Sequence, residues 1–276
     1  DGDIAGVARA RAERALPPQE KFADSDWPTA EPPHRINQTF LEPILFDCAK
    51  AARGVTILDR TIVEAASQGG TEVVASCRKL DGGTPIEIRA RFMIGCDGGS
   101  SNVRKWIGAK LEGDAVLQRV QSTYIEAPDL IRRQKYERAW ATFSLNPRRS
   151  GNVYAIDGKS RWLVHHYLKP TDGDFEEVDR DGAIRDILGV GADFKYEVIS
   201  KEDWFGRRLI ADKFRDRRIF ICGDAAHIWV PYAGYGMNAG IADAANLAWM
   251  LAAHLNGWAP LEILDAHEAE RWPITE

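Results

Sequence analysis

The stretch Cys222–Gly240, CGDAAHIWVPYAGYGMNAG, follows the apolar run RRIFI and leads into IADAANLAWMLAAHL, Ile241–Leu255. An apolar run closed by Gly223-Asp224 is the pattern of a strand covered on both faces, and the segment beyond it is the longest helix expected in the chain. Between them lies a wide loop through Pro231, Gly234 and Gly236. Backbone without side chains can approach a flat ligand closely, and a helix starting near Met237-Asn238 presents its positive dipole end. A planar, anionic ligand fits that description; the plainer alternative is a loop that only turns a corner. Long loops in compact domains are usually functional, which favours the first reading.

The chain has 276 residues, 45% of them apolar and 28% charged, enough for one large or two ordinary domains. A net charge of -5, with the Arg148-Arg149 and Arg217-Arg218 pairs outside any longer basic tract, argues against a nucleic-acid partner. Cys48, Cys77, Cys96 and Cys222 are scattered without CxxC spacing, so neither a disulfide framework nor a metal site is implied. There is no secretory signal and no apolar run of about 18 residues, so a membrane span is not expected and the cytoplasm is the default location.

Prolines 17, 18, 28, 32 and 33 make residues 1–34 read as a connector. From Gln38, Phe40, Leu41, Ile44, Leu45, Cys48, Ala49 and Ala52 recur at helical spacing, predicting an amphipathic helix that ends near Gly54. VTILDRTIVEAAS, TEVVASCRKL and TPIEIRARFMIGC predict strands with a DGG hairpin turn, and FMIGC reads as covered on both faces. Residues 119–168 predict an uninterrupted series of strands, Phe175–Leu188 a helix, and the segment after it loop and strand. The two buried strands each lead into a helix. In the first, Asp97-Gly98-Gly99 breaks the strand, Ser100 or Ser101 can cap the helix and Arg104 lies in its first turn. This corner is open to two readings, an ordinary turn or an anion site built from backbone NH groups and Arg104.

GCDGGSSNVR, Gly95–Arg104, resembles the D-G-x-x-S-x-x-R motif of FAD-dependent aromatic hydroxylases, the single-component flavoprotein monooxygenases typified by p-hydroxybenzoate hydroxylase. RRIFICGDAAHIWVPYAGYGMNAGIADAANLAW is similar to that family's second FAD motif, EPPHRINQTFLEPIL to its Arg and Gln segment, and LEILDAHEAERWP to its terminal motif with His267 where Tyr is usual. The resemblance implies an α/β fold: an incomplete Rossmann-like FAD-binding domain with an inserted, mostly antiparallel β-sheet substrate domain. It divides the chain into 1–118, a partial FAD domain with its connector; 119–200, the β-rich substrate domain; and 201–276, the FAD domain's return.

By the same resemblance the cofactor contacts fall at Arg35, Gln38, Asp97, Gly98, Ser101, Arg104, Gly223, Asp224, Ala225, Pro231, Gly234, Gly236, Met237 and Asn238. Asp224 would bond the ribityl chain, as an acceptor-only carboxylate suits a polyol. Pro231 to Asn238 would line the isoalloxazine, Arg35 and Gln38 would contact phosphate or ribityl, and Asp97 would serve both FAD and NAD(P)H. Arg104 would hold its loop in shape. The implied reaction is hydroxylation of a phenolic ring with NAD(P)H and O2 through a flavin C4a-hydroperoxide. No protein nucleophile is required, and no catalytic side chain is assigned. Substrate would lie against the β-rich insert, with Tyr124, Trp140, Phe143, Trp162, His165, His166 and Tyr167 as candidates or as sheet core. His165 and His166 point to opposite faces. His227 is a proton relay or a loop-filling imidazole. A homodimer is one assembly such a chain could adopt. Related flavoproteins that epoxidise, halogenate or open rings share both motifs, and a non-catalytic flavin-fold binding module is the alternative from another class.

The family's G-x-G-x-x-G turn, which holds the pyrophosphate, has no counterpart here; GVGAD, Gly189–Asp193, lacks the third glycine and the βαβ setting. The expectation is a truncated chain rather than a lost cofactor. The 276-residue chain alone is then expected to hold FAD weakly. Purification of this chain as a yellow, stoichiometric FAD complex would refute that.

Overall fold

In the computed structural model, residues 36–134, 137–231 and 234–276 are described. The chain separates into two units, one of Gln118–Trp204 with the segment up to Ile57, the other of Leu58–Leu117 and Phe205–Glu276. Two long strands, β5 (Leu111–Glu126) and β9 (Glu197–Ala211), run through the breaks between units. The α/β class read from the sequence is the class observed, with antiparallel sheets beside one parallel strand pair.

The second unit begins with an antiparallel sheet of β1 (Thr61–Gln68), β2 (Val73–Lys79) and β3 (Pro85–Ala90), the last two joined by the expected glycine turn. A short sheet follows in the order β10 (Arg215–Asp216), β11 (Ile219–Ile221), β4 (Met93–Gly95), with β11 parallel to β4. Alternation decides its packing. Ile219 and Ile221 enter a cluster with Val103, Ile107, Phe214 and Ala225, while Phe220 and Cys222 meet Leu247, Met250 and Leu264 on the other side. This strand is covered on both faces, as its composition requires. β4 differs from expectation: it is an edge strand among the described residues, and Ile94 is 40% exposed.

Beyond β4 comes the short helix α2 (Asn102–Trp106), and beyond β11 a 3-10 turn, Gly223–Ala225. The expected wide loop is interrupted by β12 (His227–Ile228), which pairs with Ile210 and Leu209 of β9. Helix α5 (Gly236–Leu255) follows, then α6 (Ala266–Thr275).

In the first unit, β5, β8 (Arg161–Tyr167), β7 (Gly151–Ala155) and β6 (Ala141–Ser144) lie side by side, antiparallel at each step. The helix α4 (Arg180–Leu188) packs Ile184 and Ile187 against Val153, Trp162 and Val164. Asp179 caps its start, and Gly189 ends it at φ 65°, a conformation that glycine adopts without strain. The strand series is not uninterrupted: a four-residue helix, α3 (Leu130–Arg133), sits between β5 and β6 and buries Leu130. Four residues are too few for a helical period to register in sequence. The expected amphipathic helix forms as α1 (Gln38–Ala51), yet none of its residues is buried among the described residues.

Helix α2 lies against the end of β4 because Gly95 has no side chain: a Cβ there would fall 2.5 Å from Val103 Cβ. Gly95→Ala should therefore lower unfolding stability by about 1–3 kcal/mol through overpacking, read as a fall in thermal midpoint; an unchanged midpoint would show that the helix has room to shift.

Candidate functional site

Both motif turns sit at the carboxyl ends of the parallel strands β4 and β11, the edge at which open α/β sheets bind ligands. Each turn is built by its own sequence. The Asp97 carboxylate receives the Ser101 hydroxyl and the backbone NH groups of Asn102 (2.7 Å) and Val103 (3.1 Å). Ser101 Oγ in turn accepts from Arg104 N at 2.9 Å. Burial works against the Asp97 charge, but these donors hold its carboxyl below the usual range. Asp97 thus caps α2 through Oδ2, while Oδ1 holds the Ser101 hydroxyl. Gly98, at φ 77°, has open space where a side chain would be.

Arg104 is buried and reaches across to the second motif. Its guanidinium donates to Gly99 O at 2.7 Å and to Ala225 O at 2.9 Å. Burial, opposed by the Asp97 charge, lowers its pKa from the ordinary arginine value. One side chain ties the two turns together, and Ile228 closes against Gly99 at the same place.

In the second motif, Gly223 takes φ 59° and lies against Gly240 of α5, where a Cβ on Gly223 would fall only 3.6 Å from Gly240 Cα. Its NH donates to Asp243 Oδ2 at 2.9 Å. The same oxygen is 2.6 Å from His227 Nε2, and Asp243 Oδ1 accepts from Arg271 Nε at 2.7 Å. Asp243 is fully buried; burial opposes its charge, while His227, Arg271 and the Gly223 NH hold the carboxyl low. Next to this network, His267 joins Asn246 Oδ1 (2.8 Å) to Cys222 Sγ (3.7 Å), its pKa pushed down by burial. Asp224, by contrast, is exposed and makes no hydrogen bond among the described residues.

Helix α5 starts at Gly236 with Tyr235 as N-cap and no side-chain cap. Gly236, Met237 and Asn238 therefore carry the first-turn NH groups of a 20-residue helix, with Met237 and Asn238 exposed and open space at Gly234 and Gly236. Pro231 is exposed at the start of this loop. Of the residues singled out in sequence, Asp97 to Arg104 and Gly223 to Asn238 thus fall in one unit. Gln38 belongs to the other, where it bonds Glu42. Arg35 lies outside the described residues.

Sequence reasoning missed Asp243, Arg271 and His267. A signal existed: Asp243 sits on the stripe Ala239, Asp243, Leu247, Met250 that α5 buries, and a carboxylate there demands buried partners. His227 fills a buried place in the carboxylate network, where it also stacks near Trp229, 5.4 Å between centroids.

The first unit divides the aromatic candidates by strand parity. Trp162 and His166 face α4: Trp162 bonds Ala127 O, and His166 bonds Gln121 at 3.0 Å. Tyr124, Phe143, His165 and Tyr167 share the opposite face with Tyr154 and Asn152. There His165 stands edge-on between Tyr154 (5.2 Å) and Trp204 (5.7 Å), and Asn152 donates to the hydroxyls of Tyr154 and Tyr167. Burial lowers the His165 pKa to about 4, so this face is aromatic and neutral at pH 7. Clefts of about 880 Å³ near Arg215–Arg218 and about 260 Å³ near Arg185 and Tyr196 are lined by none of the expected cofactor contacts, although the larger borders the terminal motif at Leu261, Asp265 and Trp272.

A strand-end pair of glycine-rich turns, an uncapped helix start and an unengaged carboxylate are features compatible with a nucleotide-cofactor-binding α/β unit. The chain belongs to the FAD binding domain family, which matches it over residues 5–276. It is 31% identical to a FAD-dependent monooxygenase, opdD, of Penicillium oxalicum, over 89% of this chain and 49% of that protein. It is 32% identical to the tetracenomycin A2 monooxygenase-dioxygenase of Streptomyces glaucescens, over 95% of this chain and 48% of that one. Among solved structures, aklavinone-11 hydroxylase with FAD and aklavinone aligns at a TM-score of 0.79 and 28% identity, covering 87% of this chain and 45% of its own. The substrate-free rebeccamycin biosynthetic enzyme RebC aligns at 0.79 and 29%, covering 90% and 47%. The chain spans about half the length of these relatives.

Arg104→Ala leaves two inward-facing carbonyls without their charged donor and should cost about 2–4 kcal/mol of unfolding free energy; retention of full stability would show that the turns hold without it. Asp243 adds a pH dependence of known sign. Its folded pKa lies below the unfolded value of about 3.9, so its contribution is complete above that pH and lost as pH falls through the folded pKa. Asp243→Asn should flatten the acid limb of stability by up to about 1.4 kcal/mol per pH unit. Denaturant titrations below pH 5 with equal slopes in both proteins would exclude that role.

Proposed function

We propose that this chain carries the FAD site and substrate-facing sheet of a flavin-dependent monooxygenase that hydroxylates a phenolic, polyketide-type aromatic ring, with NAD(P)H as reductant and O2 as oxidant. The observation that carries this reading is the pair of turns at the ends of β4 and β11, stapled by Arg104, with Asp224 left free beside the uncapped start of α5. The residues fit the cofactor: open space at Gly98, Gly234 and Gly236 leaves room for a flat ring close to backbone. Asp224 would accept hydrogen bonds from the ribityl hydroxyls. The NH groups of Gly236, Met237 and Asn238 would stabilise negative charge at the end of the ring they face. Gln38 and Arg35 are the remaining proposed cofactor contacts. Bound flavin would supply the redox chemistry, taking hydride from NAD(P)H and passing electrons to O2 so that one oxygen atom enters the substrate.

The protein's own part is orientation and the exclusion of water. The face formed by Tyr124, Phe143, Tyr154, His165, Tyr167 and Trp204 offers ring edges and neutral hydrogen-bonding groups to a planar substrate. A neutral His165 can accept or donate to a phenol without placing a cation beside it. The names of the relatives support an aromatic, fused-ring substrate. Scattered free thiols agree with a cytoplasmic location, and no helix among the described residues is long and apolar enough to cross a membrane.

The full-length gene product should show a flavin spectrum and oxidise NAD(P)H faster when a fused-ring phenol is added. Asp224→Ala should weaken FAD binding by about 10- to 100-fold, the range of a charge-assisted hydrogen bond. Absence of flavin from the full-length protein would sink the reading. Flavin without phenol-stimulated turnover would move it to epoxidation, halogenation or ring opening, and an unchanged FAD affinity in the Asp224 variant would remove that residue from the site.

A further inference from the structure

Two of the four cysteines stand immediately before the two motif turns, Cys96 before Asp97 and Cys222 before Gly223. The strands that carry them are parallel and in register from Ile219 with Met93 to Ile221 with Gly95. The ladder continues one step further: Cys222 N donates to Gly95 O at 3.0 Å, which in a parallel pair sets Cys222 directly opposite Cys96. Opposite residues of a parallel pair project from the same face. Neighbouring strands lie about 4.8 Å apart, within the span of about 4.4–6.8 Å that Cα atoms of a disulfide occupy. Cys96 is exposed and Cys222 buried against the Leu247 and Met250 cluster, so solvent reaches one thiol of the pair and not the other.

We propose that Cys96 and Cys222 form a peroxide-oxidisable dithiol site that closes to an intramolecular disulfide joining the ends of β4 and β11. The oxidant is hydrogen peroxide. The Cys96 thiolate attacks one peroxide oxygen, the O–O bond breaks, and hydroxide leaves, giving a sulfenic acid at Cys96. The Cys222 sulfur then attacks the Cys96 sulfur, its proton joins the departing hydroxyl as water, and an S–S bond forms. Two electrons pass from the thiol pair to the peroxide, and the hydroxide released in the first step takes up the proton that Cys96 gave up on ionising, so that two water molecules result.

The local electrostatics favour this order. Contact with the Cys222 sulfur lowers the Cys96 pKa, against burial and the charges of Asp97 and Asp243, while the Cys222 thiol proton is directed at His267 Nε2. The same contact, with burial, pushes the Cys222 thiol up, which leaves the exposed Cys96 as the thiol that ionises first.

The test needs neither flavin nor substrate. The full chain is treated with hydrogen peroxide, denatured, and its free thiols counted and mapped by mass spectrometry. Free thiols should fall from four to two, with one Cys96–Cys222 linked peptide and a mass loss of about 2 Da that dithiothreitol reverses. Cys222→Ser should stop at a sulfenic acid on residue 96, captured by dimedone, while Cys96→Ser should leave Cys222 reduced; Cys48→Ser should behave as the unsubstituted chain. The proposal fails if both thiols stay alkylable at peroxide levels that consume Cys48. It fails equally if Cys222 oxidises without Cys96, or if the disulfide joins separate molecules.

Discussion

A single buried carboxylate holds the second motif in place. Asp243 sits on the inward stripe of α5, where four neighbouring positions are apolar, and it is charged there only because three donors converge on it. An uncompensated carboxylate at that depth would cost several kcal/mol. The three donors come from different parts of the unit: the Gly223 NH from the end of β11, His227 from β12, and Arg271 from α6. Satisfying one charge therefore fixes the turn, a strand and two helices with respect to each other. The exposed Asp224 inherits its position from this arrangement, since its neighbour Gly223 is bonded on one side and packed on Gly240 on the other.

The first motif is held by a different device. Asp97 and Ser101 satisfy the start of α2, a helix too short to hold itself. Arg104 then projects from that helix to carbonyls in both turns. A planar fork with several donors can bridge two carbonyls in a way that a lysine ammonium would not reproduce. The arginine that sequence reading placed in an anion site or a loop staple is occupied, in this structure, with backbone oxygens. With Arg104 so engaged, the first-turn NH groups of α5 are left without a side-chain cap among the described residues and carry the positive end of the helix dipole.

Much of this was legible in the residues alone. The two glycine-rich strand ends, the long helix, the hairpin and the inserted antiparallel strands announce themselves through alternation, apolar runs and turn residues. What escaped did so for physical reasons. The four-residue α3 is shorter than one helical repeat, and β12 is two residues whose pairing with β9 is set by tertiary contact. FMIGC has the composition of a doubly covered strand, but burial is a property of neighbours, and Ile94 has them on one side only among the described residues. The same holds for α1, whose apolar stripe forms at the expected spacing without burying any residue. Asp243 was readable in principle, as the one acidic residue on an apolar stripe.

The sheet of the first unit shows what a sequence can decide only in part. Adjacent histidines on a strand must face opposite ways, but which of them meets a helix depends on register and on where α4 lands. Gly151 settles this. It stands opposite His166 in the ladder, and a Cβ there would come 2.2 Å from His165 O and 2.6 Å from Ile187 Cδ1. A strand without a side chain at that point lets α4 lie close against Val153 and Val164, and His166, on the same face, is enclosed as a neutral hydrogen-bonding residue. The helix having taken one face, Tyr154, His165 and Tyr167 are left on the other, where the two tyrosine hydroxyls meet Asn152 and the rings of Tyr154 and His165 pack edge to face. The aromatic surface proposed to meet substrate thus follows from a glycine on the opposite side of the sheet.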